Sequence, residues 1–217
     1  MFSRVFANDL NPESHKWLVV NCAKLKKSKV PGGVECYNED ARDFIKTTVK
    51  NQLTKLWTEK PKGIDNVHIT MNLPALAITF LDVFRGLFSD SQHLKDVATN
   101  LLPKVHVYGF SKAEDKAKHI QARCELYLGA KLDSDHLEGV SFVRNVAPNK
   151  DMMRASFLIP PEVIFDLEKV APGEIVEKEE EEVGEESKKR ERSPELSDLN
   201  PKKIAGAEPG VWYGERL

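Results

Sequence analysis

Val5-Phe6-Ala7-Asn8-Asp9-Leu10-Asn11-Pro12-Glu13-Ser14 is the stretch that decides the fold. Residues 4–8 read as a short strand that runs straight into Asp9. Asn11-Pro12-Glu13-Ser14 is a helix start, because proline suits the first turn and an acid complements the positive end of the helix. Trp17, Leu18, Asn21, Cys22 and Leu25 then recur at helical spacing. A strand, an acid at its end and a helix behind it are the repeating unit of an open α/β sheet, where ligands bind at the carboxyl ends of strands.

The unit recurs along the chain. Residues 26–33 form a basic loop closed by Pro31-Gly32-Gly33, residues 34–38 (VECYN) alternate as a strand, and Asp40 caps a helix whose Phe44, Ile45 and Val49 mark one face. After a polar stretch at 55–65, residues 66–71 (NVHITM) predict a β-branched strand ending at Asn72-Leu73-Pro74. Residues 75–87 are apolar and helical in pattern, 104–110 (KVHVYGF) form a strand, and 113–128 form an amphipathic helix carrying Ile120, Cys124 and Tyr127. Residues 141–146 and 153–158 predict two strands joined by a tight connection at 147–151. The expected fold is therefore α/β, a Rossmann-like sheet that is mostly parallel with an antiparallel strand near its C-terminal end.

The chain's 217 residues are enough for one ordinary domain with a core, and 30% charged against 41% hydrophobic residues is a soluble composition. No run approaches the roughly 20 apolar residues of a membrane span, and MFSRVFANDL is neither a signal nor a transit peptide. Cys22, Cys36 and Cys124 are far apart and odd in number, which argues for thiols in a reducing compartment and against a disulfide framework or a zinc site. No metal is expected. Residues 172–217 hold 13 acidic and 8 basic residues, leaving 21 and 24 in residues 1–171, so the part expected to fold is mildly basic. The block Glu177-Lys178-Glu179-Glu180-Glu181-Glu182 predicts a disordered charged tail over 172–217 behind a domain at 1–171. Its basic cluster Lys188-Lys189-Arg190-Glu191-Arg192 reads first as a solvated linker and second as a nuclear localisation signal.

Three constellations at strand ends are candidates for chemistry. Asp9 can accept the ribose hydroxyls of a nucleotide-like ligand, or serve as a loop acid. Asp40-Ala41 can meet an adenine amino group or ring nitrogen, or simply begin a helix. Asn72-Leu73-Pro74-Ala75 holds an amide acceptor and donor toward a flat substrate, with proline constraining the backbone, although Asn and Pro also punctuate ordinary turns. Their order favours a methyltransferase over a dehydrogenase. Glu35, His68 and His106 are read as structural or exposed.

These motifs, with Tyr37-Asn38-Glu39-Asp40-Ala41-Arg42-Asp43-Phe44-Ile45, His68-Ile69-Thr70-Met71-Asn72-Leu73-Pro74-Ala75, Val143-Arg144-Asn145-Val146-Ala147-Pro148-Asn149-Lys150-Asp151-Met152-Met153 and Ser156-Phe157, resemble the eukaryotic and archaeal tRNA guanine-37 N1-methyltransferases. The resemblance runs over about residues 5–160. It implies a class I methyltransferase fold, S-adenosylmethionine as cofactor, tRNA as partner and a monomer acting in the mitochondrial matrix, nucleus and cytoplasm. It also implies that Asp9 and Leu10 flank the ribose, Asp40 and Ala41 the adenine, and Asn72 the methyl donor and target base. The family's first strand with its Gly-rich turn, its tRNA-binding front and its upstream arginine and glutamate have no counterpart before Asp9. The expectation is an N-terminally truncated, inactive form with no assignable catalytic residue. The alternatives are a class I methyltransferase with another substrate, or a non-catalytic RNA- or protein-binding remnant.

Overall fold

The computed structural model describes residues 4–27, 33–60 and 63–166. They fall in the first of two units, Met1–Glu174; the second, Ile175–Leu217, lies outside the described residues, as do the expected tail and Pro31-Gly32 of the basic loop.

Strand β1 (Val5–Asn8) leads into helix α1 (Pro12–Lys27), and β2 (Val34–Tyr37) pairs parallel to β1, with Val5 opposite Val34 and Asn8 opposite Tyr37. Asn11 starts α1 as the sequence predicts: its side chain accepts from the Glu13 N–H at 2.9 Å and its carbonyl from the His15 N–H at 2.9 Å. Asp40 caps α2 (Ala41–Phe44), accepting from the Arg42 N–H at 2.8 Å. A π-helical turn (Ile45–Val49) continues into α3 (Lys50–Glu59), which ends on Lys60 in the left-handed conformation. This helix reaches further than the polar run from Lys55 predicts. Leu53 and Trp57 are buried and carry the apolar face one turn past that point, so burial outweighs the polar residues between them.

The larger sheet holds β3 (Val67–Met71), β4 (Pro103–Ser111), β5 (Leu137–Ala147) and β6 (Lys150–Leu158) in the order β3-β4-β6-β5. The β3–β4 pair is parallel, and β6 runs antiparallel to both β4 and β5. Three strands therefore share one direction and β6 opposes them, the expected mostly parallel sheet with an antiparallel member near the C-terminal end. The β5–β6 turn is Pro148-Asn149, with Asn149 at φ 60°, a conformation asparagine tolerates better than most residues. Among the described residues β1–β2 stands as its own sheet, and β1, β2, β3 and β5 each present one open edge.

The apolar segment after β3 is a 3₁₀ helix (Ala77–Phe84), where the helical pattern was expected. Two short elements the sequence reading left unassigned, α4 (Lys95–Thr99) and α6 (Pro161–Phe165), close the core. Helix α5 (Lys116–Leu128), capped by Asp115 and ended by Gly129 at φ 70°, lies beside the 3₁₀ helix over β4. Alternate residues of β4 are buried, and Gly109 among them lets Ile78 and Ile120 approach its backbone: a Cβ there would lie 2.5 and 3.0 Å from their terminal carbons. Trp57, Phe88 and Phe165 cluster with ring centroids 4.8–6.0 Å apart, and the indole N–H donates to the Leu101 carbonyl at 3.1 Å.

Candidate functional site

Two loops leave the carboxyl ends of β1 and β2 side by side, and they are tied to each other main chain to side chain. Asn8 Nδ2 donates to the Glu39 carbonyl and the Glu39 N–H donates to Asn8 Oδ1, both at 2.9 Å. Asn38 Nδ2 donates to the carbonyls of Asp9 and Leu10 at 2.7 and 2.9 Å, and the Asp9 N–H reaches the Tyr37 carbonyl at 3.3 Å. Asp9, Leu10, Asp40 and Ala41 are thereby held on one strand edge. An Asn–acid dipeptide stands at the carboxyl end of each strand, Asn8-Asp9 and Asn38-Glu39, and that repetition is the signal in the sequence for the latch.

Asp9 is exposed and gives Oδ1 to the Asn11 N–H at 2.9 Å, which leaves its second carboxylate oxygen to accept from a ligand hydroxyl. Asp40 likewise gives Oδ1 to its own helix. Ala41 opens that helix, so its N–H has no intrahelical partner and can donate outward. Leu10, 63% exposed, offers an apolar surface beside Asp9. An acceptor for a diol, a donor and acceptor beside it and an apolar contact suit a nucleoside, so the residues present fit the adenosyl part of the implied cofactor.

Asn72 is exposed at the carboxyl end of β3, on the other sheet. The Leu73 carbonyl accepts from Leu76 and Ala77 N–H groups at 2.8 and 2.7 Å, so the Asn72-Leu73-Pro74 corner is fixed by the start of the helical segment behind it. The connection between this corner and the β2 edge runs through Arg42. Its guanidinium pairs with Asp82, donates to the Thr79 carbonyl at 3.3 Å and sits 5.2 Å from the Phe80 ring. Arg42 ties α2 to the 3₁₀ helix, and no local pattern in the sequence singles it out, because all three partners lie on one element about forty residues away.

Other candidates fall elsewhere. Glu35 pairs with Arg4 at 2.6 Å, and that hydrogen bond holds its carboxyl below the usual range. Burial, followed by the hydrogen bond to Glu35, raises the Tyr37 hydroxyl. His68 and His106 stack on β3 and β4, with Nδ1 of one 2.9 Å from Nε2 of the other. Among the described residues no three His, Cys, Asp or Glu side chains gather as a metal site, and no helix is long and apolar enough to cross a membrane. A depression of about 340 Å³ lined by Tyr37, Thr48, Asn51 and Gln52 includes none of Asp9, Asp40 or Asn72.

The described residues thus form an α/β fold with one opposing strand in the larger sheet and carboxylates where the parallel strands β1 and β2 end. No family model matches the chain. Among curated proteins it is similar to the tRNA (guanine(37)-N(1))-methyltransferases of Xenopus tropicalis (46% identity over 165 residues, 74% of this chain and 31% of the relative), Drosophila melanogaster (44%, covering 76% and 36%) and Mus musculus (47%, covering 74% and 30%). The chain spans about a third of the length of these relatives, and they bear out the resemblance read from its motifs. Among solved structures, Trm5b of Pyrococcus abyssi matches with a TM-score of 0.44 at 23% identity, over 71% of this chain and 37% of that one.

Proposed function

We propose that this chain carries the cofactor-binding and base-facing portion of an S-adenosylmethionine-dependent enzyme that methylates N1 of guanosine 37 in tRNA. The observation that supports it most is the succession of strand-end groups, Asp9-Leu10, Asp40-Ala41 and Asn72, on a chain similar to curated enzymes named for that reaction. In this reading Asp9 accepts the ribose hydroxyls and Leu10 packs on the sugar. Asp40 and the Ala41 N–H take the adenine amino group and ring nitrogen. The bound cofactor supplies an electrophilic methyl group on a sulfonium. Asn72 orients the guanine, whose N1 proton must leave before that nitrogen can attack. No described residue is assigned as the base. The resemblance extends the proposal to a monomer working in the mitochondrial matrix, nucleus and cytoplasm.

The test exchanges this chain for the matching segment of the Xenopus tropicalis relative, with unmodified tRNA bearing G37 and labelled S-adenosylmethionine. The chimera is expected to methylate G37. Within it Asp9→Ala should weaken cofactor binding by roughly 10- to 100-fold for each hydrogen bond the carboxylate gives the ribose. Asn72→Ala should lower kcat more than cofactor affinity. A folded chimera that binds the cofactor and methylates nothing would favour a binding remnant; one that methylates another position would favour a different substrate.

A further inference from the structure

Cys22 and Cys36 are 14 positions apart in the sequence, yet their sulfurs lie 3.0 Å apart where the inner face of α1 meets β2. Cys22 is 5% exposed and Cys36 half-buried. Both line a depression of about 460 Å³ together with Val19, Ala23, Val34 and Tyr37, wide enough to admit a small oxidant. A disulfide needs the sulfurs at about 2.05 Å, so each residue has to move by roughly half an ångström. The third thiol is different: Cys124 is fully buried, and that burial pushes it up to about 12, which keeps it protonated and unreactive.

We infer that Cys22 and Cys36 are a reversible dithiol–disulfide pair, oxidised by a peroxide and tying α1 to β2. The more accessible Cys36, as thiolate, attacks a peroxide oxygen; the O–O bond breaks, hydrogen peroxide releases water, and Cys36 becomes a sulfenic acid. Cys22 Sγ then attacks Cys36 Sγ, the S–O bond breaks, and the hydroxyl leaves as a second water carrying the last thiol proton. The thiols lose two electrons together and the peroxide gains both. A thiol reductant reverses the bond by exchange. The pair is compatible with the reducing compartment expected from cysteine usage, where disulfides are characteristically transient and redox-sensing.

The experiment treats the folded 217-residue chain with hydrogen peroxide, blocks remaining thiols with iodoacetamide and maps tryptic peptides without reduction. The expected product joins peptides 17–24 and 30–42 through Cys22 and Cys36, two hydrogens lighter than their sum, and dithiothreitol abolishes it. Cys124 should be alkylated only after denaturation. In Cys22→Ser, Cys36 should stop at the sulfenic acid and be trapped by dimedone, several-fold more than in the unsubstituted chain. Recovery of both peptides fully alkylated after peroxide would overturn the inference. So would Cys36 linked only between two copies of the chain, or dimedone trapping equal with and without Cys22.

Discussion

The two sheets of this molecule are built to different standards. In the β3-β4-β6-β5 sheet alternate residues of β4 are buried, and so are five of the nine residues of β6, Met152, Met153, Ala155, Ser156 and Phe157. No residue of β1 or β2 is fully buried; Val5 is 44% exposed, and among the described residues neither strand pairs with a third. A lone two-stranded sheet is marginal in water. The candidate ligand groups Asp9 and Asp40 nonetheless sit there, held by polar ties where the larger sheet is held by apolar burial. The groups proposed to meet the cofactor thus sit on the weakly buried pair, while Asn72, proposed to face the base, stands at the edge of the well-packed sheet.

The sharpest way to break that contrast is in the core. Trp57→Ala should cost about 3–5 kcal/mol in urea unfolding, whereas Phe6→Ala on the half-buried β1 should cost well under half of that; equal losses would mean that the β1–β2 pair is as firmly built as the core. Gly109→Ala should cost about 1–3 kcal/mol, because the new methyl would press on Ile78 and Ile120. Asn8→Ala removes two hydrogen bonds worth about 0.5–1.5 kcal/mol each, and hydrogen exchange should report it as faster exchange at Glu39 with the amides of β4 unchanged. The smallest effect is a pH dependence. Burial, and then the charge of His68, hold His106 below its ordinary value, with Arg154 and Lys104 acting the same way and Glu138 opposing. A depressed histidine takes up its proton later in the folded state than in the unfolded chain. Its stabilising contribution is therefore complete above about pH 6.5 and declines as pH falls from there toward the folded value. His106→Gln should flatten that decline in urea midpoints measured between pH 7.5 and 5.

Much of this was legible in the sequence because strand-to-helix transitions carry local punctuation. Asn11-Pro12 and Asp40 start helices where they were expected to, and β1, β2, β3 and β4 lie within a residue or so of their predicted positions. What escaped depended on distant partners. The extension of α3 past Lys55 is decided by the burial of Trp57 against Phe88 and Phe165, and α6 is ordered by the Gly86 and Phe88 N–H groups, which bond to Val163 and Ile164 carbonyls. The same holds at the candidate site: Asp9, Asp40 and Asn72 were visible as strand-end residues, whereas the Arg42 tether to Thr79 and Asp82 was not.

The latch of Asn8 and Asn38 has a consequence for how such an edge can change. Each asparagine grips the opposite loop by its main chain, at Glu39 or at Asp9 and Leu10, and leaves the side chains of those positions out of the bargain. The ties between the loops are therefore made without the displayed side chains, although the Asp9 and Asp40 carboxylates also accept from the nearby N–H groups of Asn11 and Arg42. A substitution at Leu10 alters what the edge offers a ligand while the ties between the loops remain, one at Asp9 or Asp40 also removes a contact to the start of the following helix, and one at either asparagine loosens the two loops together.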